Sequence, residues 1–358
     1  MAAHSIAVAP GENVDWNPVC VASFANLRAL AWYGDVLYAS RGYTLLRARM
    51  QADAVVQWEE AATYRPSLVR TLTSSSPLAS RLLRDGFHAL AILPSGHVIG
   101  AVPHAIVTLA PGETRFRVSH RVLRGTRPLH LAVTPGGHIL WGEYFDNPQR
   151  DEVHIYASTD RGAHWDVAYT FPKGAIRHVH NVVYDEFENC FWVLTGDEGR
   201  ECRILRASCD FKYLDVVISG NQQARSAALV TTRGALFFSS DTPLEKNYVY
   251  RLDRRGDLAE VVSLSSSSIY GCRVGTSVFF SSMIEPSAIN LEPNVYLYGS
   301  PDGDRWQQIL HRKKDRWPMR FFQYGNALLP DGKNTTRLLA VTTIAVGQAG
   351  LETSIWRV

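Results

Sequence analysis

Residues 176–202, IRHVHNVVYDEFENCFWVLTGDEGREC, carry side chains suited to acid–base chemistry at both ends of an apolar run. Arg177, His178 and His180 stand at its start, and Asp197 stands near its end. The residues between them show no helical period, which favours a β-hairpin. A hairpin would bring His180 and Asp197 to the same end, and the strand register would decide which face each side chain takes.

Composition and charge exclude several functional classes. Hydrophobic residues make up 46% of the 358 residues, enough for a large core in a folded globular chain. Lys and Arg total 37 against 34 for Asp and Glu, a net charge of +3, so no global field indicates a nucleic-acid partner. No apolar stretch approaches the ~20 residues that span a bilayer, so no membrane partner is expected.

The N-terminal segment MAAHSIAVAPGENVDW lacks the basic start and continuous apolar core of a signal peptide. The chain as given is therefore expected to be cytoplasmic, although a mature exported form would show the same features. Its five cysteines are odd in number and have no C-x-x-C spacing. Neither a zinc site nor a disulfide framework is indicated.

A strand, a tight turn and a second strand recur from end to end, as in LAVTPGGHILWGEY and AALVTTRGALFFSSD. Seven turn markers are separated by 62, 41, 52, 45, 41 and 57 residues. They are Gly34, Gly96, Gly137, Asn189, Gly234, Gly275 and Gly332. Periods near 40 to 50 are typical of four-stranded propeller blades.

The prediction is an all-β fold, a seven-bladed β-propeller of four-stranded antiparallel blades that forms a single domain over residues 1–358. An insertion at about 61–86, between the first two blades, breaks the strand alternation and could contain a short helix. We expect the terminal strands to close the ring, with TSIWRV pairing in a blade that also receives N-terminal residues around SIAVA.

In a propeller, the starts of the first strands and the ends of the second strands converge on one face of the central channel. Counting from the turn markers gives a cationic and aromatic first set and an acidic second set. The first set is Asn26, His88, His130, His180, Arg225, Tyr270, Gln323 and Tyr324. The second set is Ser40, Arg41, His104, Glu143, Tyr144, Asp197, Glu198, Asp241, Glu285 and Thr343.

Carboxyl groups beside His, Arg and Tyr suit the cleavage of a glycosidic bond, which needs one protonated and one ionised carboxyl. Glu143 is predicted to be the acid, Asp197 the base, and His180 the residue that orients one of them. Arginine, imidazole, amide and phenol groups would bind an anionic oligo- or polysaccharide. These predicted binding residues are His88, His130, Tyr144, Arg177, Arg225, Tyr270, Gln323 and Tyr324.

The segment Ser158–Trp165, STDRGAHW, fits the pattern S-x-D-x-G-x-x-W, and Ser300–Trp306 and Ser208–Tyr213 match it partly. It resembles the Asp-box of BNR-repeat proteins, the family that includes the sialidases. The middle third, from GEYFDN to TGDEGRE, is similar to bacterial BNR-repeat proteins described as sialidase-like glycosyl hydrolases. This resemblance implies a propeller and a glycosidase, although the arginine triad, Tyr–Glu pair and acidic Asp of sialidases have no residue-by-residue match.

Two alternatives remain open. The chain is also similar to propeller-fold polysaccharide lyases, which use His, Tyr and Arg and in some cases hold a divalent metal. In the hydrolase interpretation no cofactor or metal is expected, whereas in the lyase interpretation His88, His130, His178 and His180 are candidate metal ligands, with Gln323 as a further one. The third possibility is a propeller that binds glycans or proteins without catalysis.

Overall fold

The fold is a seven-bladed β-propeller, seen in a computed structural model that describes residues 16–51, 57–74, 76–347 and 351–358. The sequence-based prediction of the fold class is confirmed. Six turn markers lie between the first and second strands of their blades, as expected. Asn189 adopts a positive φ of 50° in such a turn, a conformation that asparagine tolerates better than most residues.

The blades follow one another along the chain. The strands of the first half are β1 (Val19–Ala25), β2 (Arg28–Gly34), β3 (Val36–Arg41), β4 (Thr44–Arg49), β5 (Glu59–Thr63), β6 (Ala89–Ile92), β7 (Val98–Val102), β8 (Ala105–Leu109), β9 (Arg117–Arg121), β10 (Ala132–Val133), β11 (Ile139–Gly142), β12 (Val153–Ser158) and β13 (Asp166–Phe171). Those of the second half are β14 (Val179–Asp185), β15 (Cys190–Thr195), β16 (Arg203–Ala207), β17 (Leu214–Ser219), β18 (Ser226–Thr231), β19 (Ala235–Ser240), β20 (Asn247–Asp253), β21 (Leu258–Leu264), β22 (Tyr270–Val274), β23 (Ser277–Ser282), β24 (Asn294–Ser300), β25 (Gln307–Lys313), β26 (Asn326–Leu328), β27 (Asp331–Asn334), β28 (Leu338–Ile344) and β29 (Leu351–Arg357). Blade 1 contains β2 to β5, blades 2 to 6 take four consecutive strands each, and blade 7 has the order β26, β28, β29, β1.

The chain ends close the ring in blade 7. Strand β29 lies between β28 and β1 and pairs antiparallel with both, for example Ser354 with Ser23. The predicted pairing of TSIWRV with N-terminal residues is thus present, with β1 as the partner. The segment SIAVA, named as a possible partner, lies outside the described residues.

Blade 1 departs from the four-strand prediction. Strand β27 adds to it as a fifth strand, parallel to β2, with Gly332 opposite Trp32. The PDGKN segment, predicted to be the turn of blade 7, does connect its paired strands β26 and β28, but it also forms β27, which was not predicted. A Cβ on Gly332 would lie 2.2 Å from the carbonyl oxygen of Trp32, so the close approach of the two backbones requires glycine there.

Burial is graded from the inner strands to the outer ones. Every residue of β19 is buried, whereas most of the outer strand β21 is exposed or half-buried. The hydrophobic clusters lie between neighbouring blades, as where Ile99 of β7 and Ile106 of β8 share a cluster with Trp141 of β11. Trp141 also stacks on Tyr156 of its own blade, at 4.5 Å between ring centroids. This packing holds the inner strand ends in fixed positions around the channel.

The three Asp-box-like segments form the same turn between the third and fourth strands of blades 3, 4 and 6. In blade 3 Asp160 accepts backbone N–H groups of Ala163 and His164 at 3.1 and 2.9 Å. Gly162 has a φ of 79°, and Trp165 packs beside Trp141. The aspartate therefore stabilises the turn and does not take part in the channel.

The 61–86 segment begins with the end of β5 and contains two short helices, α1 (Leu68–Ser74) and α2 (Pro77–Leu83). Arg81 of α2 bonds Asp315 at 2.8 Å and the carbonyl oxygen of Phe322, the last residue of helix α3 (Met319–Phe322). Because both charged groups are buried, this ion pair fixes the insertion to the connection between blades 6 and 7. Within the described ranges, no helix has the length and apolar character needed to cross a bilayer.

Candidate functional site

A central cavity of about 910 Å³ receives side chains from all seven blades and from the insertion. Twelve of the predicted positions line it. Seven come from the first-strand set, namely Asn26, His88, His180, Arg225, Tyr270, Gln323 and Tyr324, and five from the second-strand set, namely Ser40, Arg41, Tyr144, Asp241 and Glu285. The structure thus brings together most of the positions that blade geometry predicted. The convergence of strand starts is what builds this site.

Glu143 does not take the predicted acid position. Its two carboxylate oxygens are occupied by Arg124, through Nε at 2.9 Å and a shorter contact from Nη2, and it also accepts the backbone N–H of His154 at 2.8 Å. It is only 4% exposed and is not among the residues that line the cavity. The predicted pairing of Glu143 with Asp197 as acid and base is therefore wrong. The Glu143 carboxylate instead joins blade 3 to Arg124 in the loop after β9.

Asp197 lies where the hairpin prediction for residues 176–202 placed it, at the same end as His180, and it also contacts His178. Its Oδ1 is 3.2 Å from Nε2 of His180, and its Oδ2 is 3.3 Å from Nε2 of His178. Arg225 and Arg177 approach the same carboxylate at 3.4 and 3.6 Å. Burial alone would raise the pKa of Asp197, but the two imidazoles in contact with its oxygens hold it well below the usual value.

Local backbone features position these groups. The pairing of β14 with β15 shifts register between Val179 and Asn181, which leaves His180 as the extra residue of a β-bulge. Gly196 follows β15 with a φ of 86°, and a Cβ there would lie 2.0 Å from the carbonyl oxygen of Glu201. The bulge aims His180 inward, and the glycine turns the chain so that Asp197 reaches back to it.

Tyr144 connects this group to the cavity. Its ring centroid is 4.3 Å from that of His178 and 6.0 Å from that of His180. Burial, reinforced by the charges of Asp241 and Asp197, raises the pKa of Tyr144 to about 12. The phenol is therefore protonated at neutral pH and can donate a hydrogen bond to a ligand.

Two cavity carboxyls received no role in the prediction, although both stood in the second-strand set. Asp241 follows β19 and Glu285 follows β23, so they occupy equivalent ends of adjacent blades. Burial raises the pKa of Asp241 to about 7, against the opposing charge of Arg225 and with further help from Glu285. Glu285 accepts a short hydrogen bond from the Ser267 hydroxyl.

The other side of the cavity is cationic, and its arginines were missed. Arg28 and Arg127 line it with His88, and burial lowers the pKa of all three. Repulsion from neighbouring cations adds to this effect for His88 and for Arg127, whose pKa falls to about 10. Nε of Arg28 and Nδ1 of His88 have no hydrogen-bond partner in the described part of the chain. Alternation along the strand from Asn26 could have identified Arg28, but no sequence signal marks Arg127 in its loop.

The remaining predicted binding residues are distributed unevenly. His130 is hydrogen bonded to Asp331 at 3.1 Å, and neither it nor Arg177, which bonds Asp146 at 2.7 Å, lines the cavity. Gln323 lines the cavity with a φ of 72° and a ψ of 157°, a strained conformation for a residue with a side chain. Such strain is typical of positions where a side chain serves a function.

The four histidines of the metal alternative are divided between two places. His178 and His180 form one group with Asp197, in which the possible ligand atoms all lie within 4.8 Å of one another. His88 and His130 lie on the cationic side, where they couple electrostatically with each other and with Arg28 and Arg127. The structure thus favours a two-histidine, one-carboxylate set and does not support a four-histidine set.

The fold defines the chain as a seven-bladed propeller, and comparison with solved structures supports this class. A structure titled as the mitotic checkpoint complex matches at a TM-score of 0.56 and 10% identity, covering 100% of this chain and 99% of that one. The WD40 propeller domain of Doa1 matches at 0.55 and 10%, with 94% of each chain covered. The GH74 enzyme of Niastella koreensis matches at 0.52 and 15%, covering 82% of this chain and 47% of the enzyme.

No family model and no curated protein matches the chain. The identities to the solved structures are low, so these likenesses show the fold alone. They include an enzyme and a domain of the WD40 type, which means that function must be argued from the cavity itself.

Proposed function

We propose that the protein is a carbohydrate-active enzyme that hydrolyses a glycosidic bond in an acidic glycan at the central cavity. The observation that carries the proposal is the pairing of two cavity carboxyls, Asp241 and Glu285, with a cationic opposite wall. Three turns with the Asp-box hydrogen-bond pattern support the resemblance to BNR-repeat glycosidases. The GH74 enzyme among the structural neighbours shows that the fold accommodates glycoside hydrolysis.

Charge favours an anionic substrate. The cavity is lined by seven arginines, namely Arg28, Arg41, Arg65, Arg81, Arg84, Arg127 and Arg225. Its three carboxyls are Asp85, Asp241 and Glu285. Asp85 is already paired with Arg70 at 2.6 Å, and Arg81 with Asp315. The remaining surplus of guanidinium groups suits the carboxylates of uronic or ulosonic acid residues, to which arginine can bond through two N–H groups.

The two carboxyls suit the two roles of hydrolysis. With a pKa of about 7, Asp241 is largely protonated in mildly acidic solution and can donate its proton to the leaving glycosidic oxygen. The Glu285 carboxylate would then either accept a proton from the attacking water or attack the anomeric carbon itself. Asp197, predicted earlier as the base, is better suited to holding His178 and His180, because both its oxygens face their Nε2 atoms and it does not line the cavity.

A second candidate, polysaccharide lyase activity, is favoured by the contact of Tyr144 with the two histidines beside Arg225. In that reaction Arg225 would neutralise a uronate carboxylate, a base would remove the adjacent proton, and Tyr144 would protonate the leaving oxygen. The product would carry a carbon–carbon double bond in place of the added water. Binding without catalysis is the third possibility and predicts neither product.

The test is digestion of a panel of uronate- and ulosonate-containing oligosaccharides, with neutral glycans of matched length as controls. Hydrolysis predicts new reducing ends without ultraviolet absorbance from an unsaturated sugar, whereas lyase activity predicts both. Asp241→Asn and Glu285→Gln should each lower kcat by at least ~100-fold. Glu113→Gln, which alters an exposed carboxylate paired with Arg117, is the matched control. Full turnover by Asp241→Asn would eliminate the proposed acid.

A further inference from the structure

The two histidines beside Asp197 have fixed tautomers. Nδ1 of His178 lies 3.1 Å from the carbonyl oxygen of Phe145, and Nδ1 of His180 lies 2.9 Å from that of Ser226. A carbonyl oxygen can only accept, so both Nδ1 atoms carry hydrogen. In the neutral rings, both Nε2 lone pairs therefore point toward the same space.

The Nε2 atoms face each other at only 2.9 Å, and both imidazoles are buried, at 4% exposure for His178 and 3% for His180. Two lone pairs at that distance repel unless a positive species lies between them. A shared proton would satisfy two of the three polar groups. A metal ion would satisfy both nitrogens and the Asp197 carboxylate together.

The separations fit a metal ion. The two nitrogens are 2.9 Å apart, and each lies 3.2 to 3.3 Å from an oxygen of Asp197. The two carboxylate distances are to different oxygens, Oδ1 for His180 and Oδ2 for His178. A cation ~2.1 Å from both atoms of any of these pairs would see them at an angle of about 87 to 104°. Such angles are those of adjacent octahedral positions, an arrangement found for divalent transition metals held by two histidines and one carboxylate.

The surroundings also resemble a built metal site. The backbone carbonyls that accept from Nδ1 are the outer partners that orient metal-binding histidines. Arg177 and Arg225 orient the carboxylate from 3.6 and 3.4 Å.

We propose that His178, His180 and Asp197 bind one divalent transition-metal ion. Its remaining coordination positions would be open to ligands on the side of the cavity that His180 and Tyr144 line. Imidazole with carboxylate suits Zn²⁺, Fe²⁺, Co²⁺ or Mn²⁺. An ion at this position would bind an oxygen of a ligand in the cavity as a Lewis acid. The proposal does not depend on hydrolysis, because the ion is held entirely by this chain's own residues.

The experiment uses the full chain, stripped with EDTA and then titrated with Zn²⁺ and with Co²⁺ by calorimetry and visible absorption. We expect one equivalent to bind with a micromolar or lower Kd. His178→Ala and His180→Ala should each weaken binding by roughly 100-fold or more, since loss of an outer partner alone costs 10- to 100-fold. His97→Gln, in a surface turn of blade 2, should bind as the unmodified chain does.

A second measurement on the unmodified chain avoids any dependence on variant folding. Long-range ¹H–¹⁵N NMR of the histidines should show the Nε2 resonances of two rings shifting on Zn²⁺ addition, with their Nδ1 protons retained. Absence of saturable binding would overturn the proposal and assign the short Nε2–Nε2 contact to a shared proton. Binding that left those two rings unshifted, or that both alanine variants retained, would overturn it as well.

Discussion

Asp241 makes stability depend on pH in a way that can be calculated from the structure. It is 9% exposed, and burial raises its pKa from the ordinary 3.8 to about 7. A raised folded-state pKa means that the stability contribution is complete below pH 3.8 and is lost as pH rises through about 7. The difference of about 3 pKa units corresponds to about 4 kcal/mol at 1.36 kcal/mol per unit.

The perturbation is Asp241→Asn, which keeps the shape of the neutral carboxyl and does not ionise. The free energy of unfolding of the variant minus that of the unmodified chain should be about 4 kcal/mol larger at pH 8 than at pH 4. For 358 residues at ~2.1 cal/mol/K each, this is a shift of about 5 °C in the difference between the two Tm values.

Thermal unfolding by circular dichroism in EDTA, at matched ionic strength, measures this difference. Asp160→Asn is the control of opposite sign, because backbone hydrogen bonds lower the pKa of Asp160 to about 2. Its contribution to stability is present above pH 3.8 and is lost as pH falls, so the control variant should be less stable than the unmodified chain at pH 8. A pH-independent Tm difference for Asp241→Asn would refute the reasoning, since it would mean that the carboxyl is ionised in the folded state over the whole range.

Two further predictions concern the elements that position the site. Gly196→Ala should destabilise the fold by about 3 kcal/mol or more in denaturant unfolding, because its Cβ would meet the backbone of Glu201. Gly199→Ala is the control: nothing lies within 4 Å of the added atom, so it should cost only the ~1 kcal/mol of a left-handed residue. Arg81→Ala should remove the charged hydrogen bonds of the insertion to Asp315 and to the Phe322 carbonyl, while Lys314 still pairs with Asp315. The expected cost is about 1.5 to 3 kcal/mol, with faster proteolysis within residues 64–86, whereas Arg117→Ala, on an exposed pair, should change neither.

The blades were predictable because their signals are local. A hairpin turn needs Gly or Asn within a few residues of two β-rich runs, and the markers fall in such connections. The unpredicted feature is that the segment around Gly332 also pairs in parallel with β2, some three hundred residues earlier in the chain. A pairing partner so distant leaves no periodic trace in the local sequence.

The site was predictable as a set of positions but less so as a set of roles. Strand starts and ends placed His180, Arg225 and Tyr270 at the cavity from register alone. The chemical role of a side chain depends on the groups that it contacts, and the contacts of Glu143 illustrate this. Arg124 comes from the loop after β9, and nothing in the sequence connects it with the end of β11.

Alternation within a strand end explains the choice between Glu143 and Tyr144. Adjacent residues of extended backbone point to opposite sides, so only one of the pair can face the channel directly. Tyr144 does, and the carboxylate turns outward to Arg124. In the proposed hydrolase, Asp241 takes the acid position that blade 3 leaves unfilled, and the following residue, Thr242, is turned away to bond Gln222. Position along a strand end therefore predicts which side chains can reach the channel, whereas the role of each carboxyl depends on neighbours, such as Arg124, that the local sequence does not reveal.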